Sequence, residues 1–258
     1  LDPRFSLESF VGSGPGADRV RKAARHAAES DLPVLLLGET GTGKELLARM
    51  IHGANEFRHG DFVPVNCALF TETLLESELF GHARGAFTGA SADKPGLVEA
   101  AHGGTLFLDE LADMSPPIQA ALLRFLDFQE FRRLGETEVR RADVRVIAAT
   151  HAGIDEAVRT GRIRRDLYYR LDVLRIELPP LRERPEDIPA LIAHCARRTA
   201  ERLGCEPLEF EATAIESLRA REFPGNMREL QNEVDRLTAV LGTGARVDTS
   251  SLSHQIRY

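Results

Sequence analysis

The stretch that decides the fold runs from Pro33 to Glu45 and reads PVLLLGETGTGKE. Its apolar first half predicts a buried strand, and residues 44–52 place apolar side chains at helical spacing. A glycine-rich turn between a strand and a helix is the setting of a phosphate-binding loop, whose backbone N–H groups surround phosphate oxygens. We therefore expect a nucleotide site at Gly38, Glu39, Thr40, Gly41, Thr42, Gly43 and Lys44, with Lys44 neutralising the β- and γ-phosphates.

The residue after this lysine is Glu45, where the general loop pattern has Ser or Thr to ligate Mg²⁺. Metal binding then depends on other groups, and Asp109, at the end of an apolar run, is the candidate. The pair Asp109-Glu110 suits one carboxylate for the Mg²⁺ shell and one that orients or activates the attacking water. A solvated loop is the alternative for such a pair, but the apolar run before it favours the catalytic interpretation.

Short apolar runs alternate with segments of helical periodicity through the first 180 residues. Strands are predicted at 62–66, 105–108 and 144–149, with a helix at 117–128. This alternation indicates an α/β domain, residues 1–180, whose parallel sheet is covered by helices on both faces.

From about residue 180 the pattern changes. Pro179-Pro180 breaks regular structure, and only helical patterns follow, at 186–203, 211–221 and 226–241. We expect a small helical domain over 181–246 and a tail or linker over 247–258. Asn226 is predicted to cap the last helix, with Glu229 completing a capping box.

Composition limits the classes of protein. The 258 residues, 43% hydrophobic and 28% charged, are typical of a globular protein, and no membrane span or secretory leader is expected. Cys67, Cys195 and Cys205 lack metal-ligand spacing and fit reduced thiols, so we expect a cytoplasmic protein. The net charge of −7 argues against broad nucleic-acid binding, although the basic runs 140–141 and 162–165 are candidate contacts.

Two further features have alternative interpretations. The hexapeptide Gly85, Ala86, Phe87, Thr88, Gly89 and Ala90 can be an ordinary tight loop whose aromatic ring is buried, or a loop that carries function. Arg164 and Arg170 can be a solvated helix face with local ion pairs, or supply positive charge to a transition state, including one in a neighbouring subunit.

In combination, these residues resemble one family, the AAA+ ATPase domain of sigma-54-dependent transcriptional activators, the bacterial enhancer-binding proteins. The resemblance runs from Phe10 to about residue 245, and GAFTGA at 85–90 in this order is close to diagnostic of the family. The other matching segments are 38–45, 78–82, 103–110, 164–171, 178–184 and 223–230.

The resemblance implies a role for each site residue. Glu45 is usual in the family, Asp109 would serve the metal, and Glu110 the water. Asn66 is similar to the switch residue that holds the catalytic glutamate away from water; its alternative is an amide that caps a turn. Thr150 and His151 would form the first sensor, Arg164 and Arg170 the intersubunit arginine fingers, Arg228 the second sensor, and Phe10, Val11, Gly12 and Ile188 the adenine enclosure.

Two positions depart from the family pattern. His151 stands where many members have Asn, so the γ-phosphate contact would be weaker or pH-dependent, with more resting on Thr150. Phe223 stands where Trp is typical, and both residues serve packing.

The resemblance further implies a ring, most simply a hexamer, that binds Mg²⁺ and ATP and remodels the closed complex of sigma-54 RNA polymerase. Residues 85–90 would bind sigma-54 through Phe87 and Thr88, beside a second loop at 131–141 with Gly135 in an exposed hairpin. Promoter or enhancer DNA would be bound by a helix-turn-helix domain outside this chain. The rival functions are a general AAA+ protein remodeller and a non-catalytic nucleotide-sensing module.

Overall fold

The computed structural model describes residues 6–151 and 153–253. The strands of these ranges are β1 (Val34–Leu37), β2 (Phe62–Asn66), β3 (Gly81–His82), β4 (Lys94–Pro95), β5 (Thr105–Asp109), β6 (Glu130–Phe131), β7 (Arg140–Arg141), β8 (Arg145–Thr150), β9 (Leu174–Glu177), β10 (Glu209–Phe210) and β11 (Arg246–Val247). The helices are α1 (Pro15–Ala28), α2 (Lys44–Gly53), α3 (Glu72–Phe80), α4 (Leu97–Ala100), α5 (Pro116–Phe128), α6 (Ile154–Arg159), α7 (Arg165–Leu171), α8 (Ile188–Leu203), α9 (Ala212–Arg219) and α10 (Asn226–Leu241).

Five of the strands form one parallel sheet in the order β2-β5-β8-β1-β9. Every residue of β1 and β8 is buried, because helices and loops cover both faces, and this explains the continuous apolar runs. Since all five strands run the same way, their carboxyl ends meet at one edge. The predicted parallel α/β sheet is confirmed, and the four expected strands have bounds within one residue of those predicted, whereas β9 was not predicted.

The chain divides into two compact units. The first contains residues 23–38 and 44–177, and the second contains 8–22, 39–43 and the chain from 178 onward. The first unit has a core in which the sheet packs against α3, α5 and α7, with Leu106, Leu122 and Phe125 almost fully buried. None of the helices within the described ranges is long and apolar enough to cross a bilayer.

The second unit is built on α8, α9 and α10, whose apolar faces enclose Leu218, Phe223 and Leu230. The predicted small helical domain is confirmed, and it also contains one short parallel pair, β10 and β11, with Val247 buried in the same core. Two-residue strands are too short to show alternation in sequence. The tail forms a 3₁₀ turn at Thr249–Ser251, and the rest of the predicted tail, 254–258, lies outside the described residues.

The predicted role of Asn226 as a helix cap is wrong. Helix α10 begins at Asn226 itself, and Gly225 occupies the cap position. The carboxylate of Glu229 accepts the Gly225 N–H at 2.9 Å, so the helix start is satisfied one residue earlier than expected. The Asn226 side chain instead makes contacts far away in sequence, as described below.

Candidate functional site

The phosphate-binding loop begins directly after β1 and ends at the first residue of α2. Lys44 is buried, and its Nζ donates to the Gly38 carbonyl at 2.8 Å. The Gly38 N–H in turn donates to the carbonyl of Thr150, the last residue of β8, at 3.3 Å. The loop start and the buried Thr150 therefore lie together at the carboxyl edge of the sheet, while His151 is exposed.

The carboxylate pair lies on this same edge. Asp109 ends β5, and its Oδ1 accepts the N–H of Glu110 at 3.0 Å. Glu110 has left-handed backbone angles, φ 53° and ψ 51°, which cost a non-glycine residue about 1 kcal/mol or more. Strained backbone of this kind is concentrated at functional sites. A 3₁₀ turn, Leu111–Asp113, follows Glu110 directly.

Asn66 is the register partner of Asp109 across β2 and β5. Its side-chain oxygen accepts the Ala68 N–H at 3.0 Å and caps the 3₁₀ turn Cys67–Leu69. The turn-capping alternative thus describes the amide in this structure. Because Asn66 is paired in register with Asp109, it lies beside the carboxylate pair, which is where the predicted switch residue would have to be.

Five residues of the phosphate-binding loop, 39–43, belong to the second unit. Both carboxylate oxygens of Glu39 accept from Arg182, at 2.6 and 2.8 Å. The Asn226 amide donates to the Thr40 carbonyl at 3.0 Å and to Glu39 at 3.2 Å, and its oxygen accepts the Leu181 N–H at 2.7 Å. Sequence reasoning missed Arg182 and Asn226 as anchors of the loop, because their partners are distant along the chain.

Gly41 is held where only glycine fits. A Cβ at this position would lie 2.3 Å from the Gly225 carbonyl oxygen and 3.4 Å from the Cβ of Arg228, and φ is 80°. The predicted second sensor, Arg228, therefore lies next to the loop and is exposed. Gly43, with φ 100°, has open space on its Cβ side within the described residues, which suits a cradle for a phosphate group.

The predicted adenine residues are also in the second unit. Ile188 is fully buried, and Val11 packs on the same apolar cluster. Asp187, which sequence reasoning did not single out, is fully buried, and its Oδ1 accepts the N–H groups of Ser13 and Gly14 at 2.7 and 2.8 Å. A Cβ on Gly12 would lie 2.8 Å from the other Asp187 oxygen. One buried carboxylate thus fixes the segment that carries Val11 and Gly12.

The two candidate arginine fingers have partners within their own chain. Arg164 contacts the Asp166 carboxylate at 2.7 Å, and Arg170 contacts Asp127 at 3.0 Å and the Leu126 carbonyl at 3.1 Å. The side chains of both arginines are nearly half exposed. Ion pairs of this exposure contribute little to stability, so either guanidinium can exchange its partner at low cost.

The hexapeptide 85–90 lies in the connection between β3 and β4, which pair antiparallel. The Gly85 N–H donates to the Ala90 carbonyl at 2.8 Å, and this bond closes the loop at its base. Phe87 is half-buried, and its ring meets His82 edge to face with centroids 5.0 Å apart. Thr88 is exposed. The ring therefore lies back against the strand that leads into the loop.

The second loop, residues 131–141, is the hairpin that sequence reasoning predicted, with β6 and β7 antiparallel. Leu134 exchanges backbone hydrogen bonds with Gly81 and Ala83, both at 2.9 Å. Gly135, with φ 80°, approaches so closely that a Cβ would lie 2.9 Å from that of Ala86. The second loop thus packs directly on the base of the hexapeptide.

An ion pair fixes the second loop to the body of the first unit. The Arg133 guanidinium binds both carboxylate oxygens of Glu99, at 2.8 and 2.9 Å. The bond to Arg133 lowers the pKa of Glu99 below its usual range, despite partial burial, which raises it. The pair therefore keeps its charge at neutral pH.

The residues at the sheet edge fit a magnesium nucleotide. Among the described residues, His, Cys, Asp and Glu side chains form no cluster of three or more that could hold a metal by itself. Mg²⁺ in phosphate-transfer sites is bound by one or two carboxylates together with phosphate oxygens, and Asp109 offers such a ligand. The buried ammonium of Lys44 and the open side of Gly43 suit the phosphates themselves.

Comparison with known proteins agrees with this geometry. A family model described as the Sigma-54 interaction domain matches residues 10–177, and one described as the AAA+ ATPase lid domain matches 182–258. Over 234 residues the chain is 49% identical to the Sigma54-dependent transcriptional activator SfnR of Pseudomonas putida, covering 91% of this chain and 64% of that protein. It is 46% identical over 253 residues to the hydrogenase transcriptional regulatory protein HoxA of Cupriavidus necator, covering 98% and 52%.

Among solved structures, NtrX from Brucella abortus in complex with ADP superposes with a TM-score of 0.88 at 35% identity, covering 95% of this chain and 55% of that one. The chain therefore spans between about half and two thirds of the length of these relatives. The family resemblance read from the sequence is confirmed. Since the first family model alone matches well over half of the residues, the chain belongs to the sigma-54 interaction domain family, with the AAA+ lid that follows it.

Proposed function

We propose that this chain is the ATP-hydrolysing motor of a sigma-54-dependent activator, which acts as a homo-oligomeric ring in the cytoplasm. The observation that carries the proposal is the meeting of Lys44, Asp109, Glu110 and Thr150 at one sheet edge, with the GAFTGA loop in the same unit. DNA binding belongs to a helix-turn-helix domain beyond this chain.

Each residue at the edge has a defined task in hydrolysis. Bound Mg²⁺ would neutralise charge that develops on the β- and γ-phosphates. Lys44 would exchange the Gly38 carbonyl for phosphate oxygens, Asp109 would contribute to the metal shell, and Glu110 would orient the attacking water. Thr150, the last residue of β8, and His151, which follows it, would contact the γ-phosphate of bound ATP.

In this proposal, the nucleotide state is transmitted to sigma-54 by a change in the position of the hexapeptide. Binding of ATP would change the contacts of Asn66 and Glu110 at the sheet edge, and the hexapeptide would rise to present Phe87 and Thr88 to sigma-54. Loss of the γ-phosphate reverses the change, as in segment switches of GTPases. The ring supplies Arg164 and Arg170 from the neighbouring subunit.

Replacement of the water-orienting carboxylate tests the catalytic assignment. Glu110→Gln keeps the shape of the side chain but removes its basicity, so turnover should fall by about 10²–10⁴-fold while ATP stays bound. Phosphate release and retention of labelled ATP on a filter measure the two effects. Asp109→Asn is the matched control and should weaken Mg²⁺-dependent ATP binding itself. Undiminished turnover in Glu110→Gln would refute the role of this residue and favour the non-catalytic sensor.

Phe87→Ala tests the coupling. The phenyl ring is outside the phosphate edge, so ATP hydrolysis should stay within about twofold of wild type while promoter opening by sigma-54 polymerase is lost. Phe57→Ala, which removes an exposed aromatic ring elsewhere in the first unit, should leave both activities intact. Loss of hydrolysis together with promoter opening would contradict the coupling, and normal promoter opening would favour a general AAA+ remodeller with another partner.

A further inference from the structure

A cavity of about 180 Å³ opens beside the second loop in the first unit. Its apolar lining comes from Phe80 at the end of α3, Ala121 on α5, and Phe131 and Val139 of the second loop. The Phe80 and Phe131 rings are buried, with centroids 6.4 Å apart, whereas Val139 is 42% exposed. The cavity is thus a concave apolar site with an open mouth, and the proposed ATP cycle uses none of its side chains.

The size of the cavity selects the ligand. An engineered apolar cavity of roughly 150 Å³ accommodates a benzene molecule. A space of about 180 Å³ therefore takes one aromatic or large aliphatic side chain, and is too small for a nucleotide or a folded element. One apolar anchor residue of a peptide segment fits this volume.

The charges around the mouth select the residues that flank the anchor. Arg124 and Arg132 both line the cavity, and their side chains reach solvent. Glu130, which also lines the cavity, is already bound to Arg141 at 2.6 Å, while its contact with Arg124 is a long 4.0 Å. The two arginines at the mouth are thus available to carboxylates from outside.

We propose that this cavity binds an acidic peptide segment of a partner protein, through one aromatic or large aliphatic anchor between carboxylates that meet Arg124 and Arg132. The site has a mechanical consequence. Phe80 is followed directly by β3, which leads into the hexapeptide, and Phe131 begins the second loop. An anchor in the cavity would pack against these two rings, contact the bases of both loops and stabilise their present packing.

Glu76 gives the proposal a pH signature. This half-buried carboxyl lines the cavity, and burial, followed by the charge of Glu72, raises its pKa. Arg124, Arg132 and Glu130 are the charged groups that face it from α5 and the second loop. An occupant excludes water from Glu76 and raises its pKa further, so binding takes up a proton. Affinity should therefore increase as pH falls from 8 towards the pKa of Glu76.

The probe is a fluorescein-labelled peptide of sequence Glu-Asp-Glu-Phe-Asp-Glu-Asp, titrated with the full chain at low salt and without nucleotide. We expect saturable binding, weakened at least about tenfold when the peptide Phe is replaced by Ala, because an aromatic ring is left unburied. A peptide with Lys at every acidic position should not bind. Anisotropy measures all three peptides.

Variants of the chain separate the cavity from the rest of the surface. Arg132→Ala, at an exposed position, should weaken binding severalfold, and Ala121→Leu should abolish it by filling the cavity. Glu76→Gln should remove the pH dependence. Arg159→Ala, which changes an exposed arginine on α6, is the control and should bind like wild type. Circular dichroism and thermal unfolding verify the fold of each variant.

Several results would overturn the proposal. They are absence of saturable binding to wild type, equal binding of the Phe and Ala peptides, binding of the basic peptide, and unchanged binding by both Arg132→Ala and Ala121→Leu. Self-association that Ala121→Leu abolishes, without peptide binding, would assign the cavity to a second copy instead. Because no nucleotide is present, these outcomes are independent of whether the chain hydrolyses ATP.

Discussion

At the scale of single residues, Asn226 combines two unusual properties. Its backbone has φ 51°, in the left-handed region, and its buried side chain bonds Leu181, Glu39 and Thr40. Asparagine tolerates this backbone conformation better than most residues, and its amide offers both a donor and an acceptor. The residue therefore fixes the phosphate-binding loop on the second unit at little conformational cost.

Two substitutions at this residue separate the two properties. Asn226→Gly removes the amide but accepts the backbone angle, and should lower the free energy of unfolding by about 1–3 kcal/mol. Asn226→Ala also introduces backbone strain and should cost about 1 kcal/mol more. Urea unfolding measures both. Asn66→Ala, which removes a part-exposed amide from ordinary backbone, is the control and should cost about 1 kcal/mol or less. Equal stability of the Gly and Ala variants would show that the backbone angle carries no cost.

The distances along the chain explain why sequence reasoning failed for Asn226. Its partners lie 45, 186 and 187 residues away, and no local pattern records such contacts. The capping-box motif, by contrast, is local, and it drew the interpretation to the wrong residue. Asp187 was missed for the same reason, since the N–H groups that donate hydrogen bonds to it are 173 and 174 residues earlier. Lys44 and Asp109 could be proposed from the sequence because loop and strand signals surround them.

At the scale of elements, the close contact between the second loop and the hexapeptide occurs at Gly135. Gly135→Ala should displace the second loop, because its Cβ would overlap that of Ala86 at 2.9 Å. Gly161→Ala is a matched control, since Gly161 has a similar φ of 77° and open space within the described residues. Both variants carry backbone strain of about 1 kcal/mol, and only the first adds the clash.

The difference between these variants isolates the contact. We expect Gly135→Ala to lower the midpoint of thermal unfolding further than Gly161→Ala, and to increase proteolysis within residues 85–90. Limited proteolysis with mapping of the cleavage sites tests the second effect. Identical behaviour of the two variants would mean that the second loop shifts to accommodate the added methyl group without affecting the hexapeptide.

The buried strands inside the sheet were predictable from sequence, whereas α1, α3 and β9 were not singled out. The strands β1, β5 and β8 are continuous apolar runs because both faces of the sheet are covered, and such runs are visible without alignment. The pair β10 and β11 was missed because each strand has only two residues. The hexapeptide was visible as a motif, but the contact of Phe87 with His82 depends on packing that no motif encodes.

At the scale of the whole molecule, the ring proposal requires that one subunit complete the site of another. Lys44→Ala disables the phosphate site but keeps Arg170, while Arg170→Ala does the reverse. Each variant alone should show little turnover. A mixture should recover activity, because Lys44→Ala subunits supply Arg170 to the intact sites of the other variant. Phosphate release across mixing ratios and total concentrations measures the recovery.

A second mixture is the control for this experiment. Lys44→Ala and Glu110→Gln both damage the phosphate edge and both keep Arg170, so no combination of them contains a working site. That mixture should stay inactive at every ratio. Turnover per wild-type subunit should also rise with concentration as assemblies form. A failure of the first mixture, together with concentration-independent turnover, would rule out catalysis shared between subunits.

The contact between Phe87 and His82 affects how the protein resists proteolysis and non-specific association when no nucleotide is bound. An aromatic ring at the tip of a glycine-flanked turn is a natural site for unwanted adhesion and for cleavage by proteases. With its edge packed on a buried imidazole that also bonds Ser77, the ring offers less of its surface to passing molecules. The contact that holds the ring against β3 therefore also shields part of the ring from proteases and from non-specific association with other molecules.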